Sequence, residues 1–146
     1  HRHFGTKAEL IKEAHTILIT QINAEIPPIE NIENNVGLFF EAARKNKLRQ
    51  LALARAMIEG VSPYALQNEF PVMQRLVQLL KKRADESETE KKFSPKISAA
   101  ALGAIALGWI LYEPFLFAAT DLDNENPDEI HREVIEILEE FVKKIC

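Results

Sequence analysis

Proline placement constrains this chain more than any other feature. Of its seven prolines, Pro63, Pro71, Pro95 and Pro127 each open an apolar-periodic segment, where the missing N–H costs nothing and the fixed φ suits a first helical turn. Pro27 and Pro28 close one. Runs of β-branched residues at alternating spacing are scarce, and the apolar positions recur three and four apart. The expectation is an all-α bundle of about six main helices.

The first helix is predicted over about 7–25. Thr6-x-x-Glu9 has capping-box spacing, and Leu10, Ile11, Ala14, Ile17, Leu18 and Ile22 form its stripe. A second, about 30–45, carries Ile32, Val36, Phe39, Phe40 and Ala43; a third, about 48–59, carries Leu48, Leu51, Ala52 and Ala56 and ends at Gly60, suited to a left-handed cap. Ser62-Pro63 announces a short turn over 64–68, and Phe70-Pro71 starts a helix reaching about Arg83. From Lys81 to Lys92 nine of twelve residues are charged, which reads as a solvated loop. Ser94-Pro95 then opens a helix to about Ala119, with a kink expected at Pro114, and Asn126-Pro127-Asp128-Glu129 opens the last.

A chain of 146 residues that is 47% apolar can bury one core. Its 18 basic and 22 acidic residues give a net charge of −4, the wrong sign for holding DNA through overall charge, so any nucleic-acid contact must be local. The lone cysteine, Cys146, rules out an internal disulfide and a cysteine-rich zinc site, and fits a reducing cytoplasm. The longest uncharged run, Ile97 to Tyr112, is sixteen residues, short of the roughly 20 of a spanning helix, so no membrane partner is expected.

The last two helices carry more apolar surface than one core needs. Leu102, Ile105, Trp109, Tyr112 and Leu116 make a bulky row on one, and Ala100, Ala104 and Gly108 a small row opposite. The final helix has one stripe of Ile130, Val134, Ile137 and Phe141 and an adjacent one of Ile135, Leu138, Val142 and Ile145. So wide an apolar arc calls for protein on both sides, so these helices are expected to form a four-helix bundle with a second copy. Ala100, Ala104, Gly108, Ile135, Leu138 and Val142 are the expected interface; the other possibility is cover from the same chain.

The opening segment, His1-Arg2-His3-Phe4-Gly5-Thr6-Lys7-Ala8-Glu9-Leu10, resembles the end of the helix-turn-helix of TetR/AcrR-family transcriptional regulators, with His1 where Tyr is commoner. Arg55 to Leu80 and Gly108 to Thr120 are similar to one branch of that family more loosely. The resemblance implies a TetR-like C-terminal domain: residues 1–6 would end a helix-turn-helix whose remainder is absent, and 7–146 would form an effector-binding and dimerisation domain. By position, His1, His3 and Lys7 match residues that contact DNA phosphates. The implied protein is a DNA-binding regulator, a repressor, whose operator affinity is set by a small effector. Phe39, Phe40, Met57, Phe70, Met73, Trp109 and Tyr112 are the candidate pocket lining, suited to an apolar or aromatic, mostly uncharged ligand, although each also sits at ordinary core spacing.

Glu113 either pairs with a cationic effector or is a satisfied structural carboxylate. Catalysis and metal binding are not expected. The nearest di-metal signature is one Asp128-x-x-His131 on a face read as polar, the four histidines are scattered, and no phosphate loop is present. No cofactor is implied. The alternative is a stand-alone helical ligand-binding or scaffolding dimer that never touches DNA.

Overall fold

The computed structural model describes residues 5–88, 90 and 93–145. They form seven helices and no strand: α1 (Lys7–Glu25), α2 (Val36–Lys45), α3 (Lys47–Ile58), the single turn α4 (Pro63–Leu66), α5 (Pro71–Glu86), α6 (Pro95–Ala119) and α7 (Pro127–Ile145). The all-α expectation holds.

Local chemistry sets most boundaries. Thr6 Oγ1 accepts from the Glu9 amide at 3.1 Å while the Glu9 carboxylate accepts from the Thr6 amide at 3.0 Å, closing the capping box of α1. Gly60 takes φ +80° after α3, where only glycine is free of a Cβ penalty. Asn126 caps α7 by accepting from the Asp128 amide. α6 runs on through Pro114.

Two boundaries differ from the sequence expectation. α2 starts at Val36, not near 30, because the asparagines before it bond locally: Asn31 accepts from the Glu33 amide and Asn35 donates to the Asn31 carbonyl. Ile32 still enters the core, from a turn. α5 continues to Glu86, through the start of the segment read as a loop. Leu80 and Ala84 bury on it, Arg83 pairs with Glu33, and Lys82 donates to the Glu30 carbonyl, so tertiary partners hold a stretch that charge density alone would leave solvated.

The core lies where α2, α5, α6 and α7 meet the C-terminal half of α1. Arg75 of α5 fastens that end of α1, donating to the carbonyls of Asn23, Ile26 and Pro27, where a cation also complements the helix dipole. By contrast, no side chain from Lys7 to Leu18 is buried. Lys7 to Ile11 are all exposed, so the first turn of α1 stands clear of the body, while His15 and Leu18 further along are partly covered.

α7 turns Ile130, Val134, Leu138 and Val142 inward and leaves Ile137 and Phe141 exposed. This corrects the interface expected from sequence. Leu138 and Val142 belong to the chain's own core, and Ile135 is half-buried against α2. The buried face takes Ile130 and Val134 from one predicted stripe and Leu138 and Val142 from the other, so the spacing alone did not define the face that the chain covers. A Cβ on Gly37 would lie 2.6 Å from Ile135 Cγ2, so α2 and α7 touch at a glycine. Gly37→Ala should destabilise the fold by about 1–3 kcal/mol, the usual range for overpacking, measured by denaturant unfolding.

On α6, Leu102 and Ile110 face the core, while Ile97, Ala101, Ala104, Tyr112 and Phe115 follow one another along an exposed stripe that also passes Gly108. Ala100 is exposed beside it. At 25 residues, α6 is long and apolar enough to cross a membrane by length and composition; the sixteen-residue count stopped at Glu113. In the fold, α6 instead packs one face on α5, α3 and α2.

Candidate functional site

A cavity of about 290 Å³ opens between α1, α2, α3, α5 and α6. Ile19 and Ile22 of α1 form one wall, Phe39 and Phe40 of α2 another, and Met73 of α5 meets Leu102 and Gly103 of α6. Leu53 and Met57 of α3 close a further side, and Phe70 is set edge-on against Tyr64, ring centroids 5.7 Å apart. The volume lies at the low end of small-molecule sites, roughly 300–1,000 Å³.

Five of the seven lining residues expected from sequence surround this cavity: Phe39, Phe40, Met57, Phe70 and Met73. Trp109 and Tyr112 do not. Tyr112 is 62% exposed on the outer stripe of α6, one face round from the core. Trp109 donates through Nε1 to Glu113 at 2.9 Å, and the same carboxylate oxygen lies 2.9 Å from His131 Nε2. Glu113 is thereby a partnered structural carboxylate. His131 is only 6% exposed, near the Phe40 ring, so the helix face read as polar is buried there. Among the described residues no group of three metal-ligating side chains forms.

The polar side chains on the cavity wall are Arg49, Gln50 and Gln67, all missed by the sequence reading. Arg49 donates through Nη2 to Gln67 Oε1 at 3.0 Å and through Nη1 to Gln50 Oε1 at 3.3 Å. Gln67 is oriented by its own Nε2, which donates to the Glu69 carbonyl at 2.8 Å. Burial lowers the Arg49 pKa from its ordinary value. The pKa of His15 on α1 is lowered, first by its partial burial and then by the charge of Arg49. The signal was present in α3. Arg49, Leu53 and Met57 share a face at four-residue spacing, yet Leu48 and Leu51 on the other side attracted the apolar assignment, and Leu48 is 82% exposed.

Of the expected phosphate contacts, Lys7 opens α1 and is exposed. His1 and His3 lie outside the described residues. The C-terminal half of α1 reaches the cavity through Ile19 and Ile22, not through Ile17, which is half-exposed. One helix therefore runs from Lys7 to the cavity wall.

Over 133 residues, 91% of the chain, the sequence is 26% identical to HTH-type transcriptional regulator Mb3439c of Mycobacterium bovis. It is equally similar to HTH-type transcriptional regulator MT3513 and HTH-type transcriptional repressor Rv3405c, both of Mycobacterium tuberculosis. The match spans 64% of the length of these relatives. No family model and no solved structure matches the chain.

Proposed function

We propose that the chain is the effector-sensing and dimerising part of a DNA-binding transcriptional regulator of TetR/AcrR type, a repressor that releases operator DNA when a small lipophilic molecule fills the cavity. The observation that carries the reading is α1, a continuous helix whose exposed end begins at Lys7 and whose other end walls the cavity. The relatives named as helix-turn-helix regulators and a repressor support the same reading. On this reading a helix-turn-helix precedes His1, the first turns of α1 pack against it through Leu10 and Ile11, and the protein works in the cytoplasm without catalysing a reaction. Two recognition helices must sit about 34–36 Å apart to enter successive major grooves, so a small tilt of α1 mismatches them.

The partner copy is proposed to cover the outer faces of α6 and α7. Phe115 is 68% and Ile137 50% exposed, an unusual amount of apolar surface to leave in water. Gly108 supports this assignment: a Cβ there would meet nothing in its own chain, yet glycine inside a helix costs about 1 kcal/mol relative to alanine. Close approach of a second backbone accounts for it. Gly108→Ala should therefore raise the stability of the isolated chain while weakening its self-association, measured by sedimentation across a concentration series.

In the DNA-binding protein, Lys7→Ala should weaken binding to all sequences alike and lower the salt slope by about one, because it removes a phosphate contact and no base contact. Fluorescence anisotropy over a range of KCl concentrations measures both, and an unchanged slope would place Lys7 away from DNA.

A further inference from the structure

The cavity wall holds one charged side chain, Arg49, and it carries more donors than its surroundings satisfy. A guanidinium has five N–H donors. Two are engaged, both by neutral amide oxygens, and Nε is buried without a partner. Among the described residues no carboxylate pairs with it. Gln50 and Gln67, 4% and 5% exposed, are themselves in the interior. A partly buried cation with no counter-charge among the described residues and an apolar cavity at its side is a costly arrangement for a purely structural brace between α3 and Gln67. A neutral side chain would serve there.

We propose that the cavity takes an amphipathic carboxylate, whose carboxylate group sits on the remaining terminal N–H groups of Arg49 and whose apolar body lies among Phe40, Met57, Phe70 and Met73. Each terminal nitrogen of Arg49 keeps one N–H beyond its glutamine partner, and a carboxylate can accept that pair in two parallel hydrogen bonds, which is the geometry that distinguishes arginine from a point charge. A single cation suits a monoanion. The small volume suits a medium-length alkyl or aryl-alkyl acid. The inference deepens the reading of the cavity as a small-molecule site, rests on it, and departs from the uncharged ligand that the sequence suggested.

Calorimetry of the protein at pH 7 with octanoate and 4-phenylbutyrate, each beside its primary amide, tests the proposal. Each acid should bind at least about tenfold more tightly than its amide, since a charge-assisted pair is roughly twice as strong as a neutral one. Arg49→Met should erase that preference. Gln50→Glu, nearly isosteric, should erase it too by placing a carboxylate of the chain on Arg49, and it keeps the test open should Arg49→Met not fold. Acids and amides binding alike to the unaltered protein would overturn the inference and leave the cavity reading standing. Binding of neither would overturn both.

Discussion

Val142→Glu should not give a soluble monomer; it should abolish the cooperative unfolding transition altogether. Val142 is fully buried on the inner face of α7. A carboxylate there must ionise without a partner or remain protonated against apolar walls, at a cost of several kcal/mol. A domain this size is held by only about 5–15 kcal/mol in total. Circular dichroism during urea unfolding would show a sloping, transition-free curve, and a sharp transition near that of the unaltered chain would mean that Val142 faces outward after all.

Phe141→Glu, one residue away, should do the opposite. Phe141 and Ile137 lie on the exposed side of α7, so a carboxylate at either position stays hydrated in the single chain and would enter an apolar contact only in the proposed dimer. The fold should survive within about 0.5 kcal/mol, the usual range for surface substitutions. The dimer should weaken by several kcal/mol, and each 1.4 kcal/mol is a factor of ten in dissociation constant. Sedimentation at tens of micromolar should show dimers of the unaltered protein and monomers of Phe141→Glu. Monomers in both samples would remove the proposed interface.

These neighbouring residues illustrate how far the sequence was legible. Periodicity found α7 and its wide apolar arc, but the face that α2 and the core cover, Ile130 and Val134 from one predicted stripe with Leu138 and Val142 from the other, is a long-range fact absent from local spacing. Boundaries fixed by chemistry within one turn, such as the Thr6–Glu9 box and Gly60, were readable because their partners are adjacent in sequence. The end of α5 was not, because its stabilising contacts, Arg83 to Glu33 and Lys82 to Glu30, span about fifty residues. In the cavity the aromatic and thioether walls were legible by type. The polar edge was hidden because Arg49 and Gln50 look like ordinary surface residues of an amphipathic helix until the fold turns that face inward.

The central claim is that the cavity and DNA are coupled through α1. The most direct measurement is fluorescence anisotropy of the protein with the proposed helix-turn-helix, on DNA selected by it in vitro, with and without a saturating cavity ligand identified by calorimetry. The account predicts sequence-dependent binding that weakens by about 5- to 150-fold when the ligand is bound, the span of typical coupling between two sites. By reciprocity, saturating DNA should weaken ligand binding by the same factor. A ligand that fills the cavity and leaves DNA affinity unchanged would contradict it.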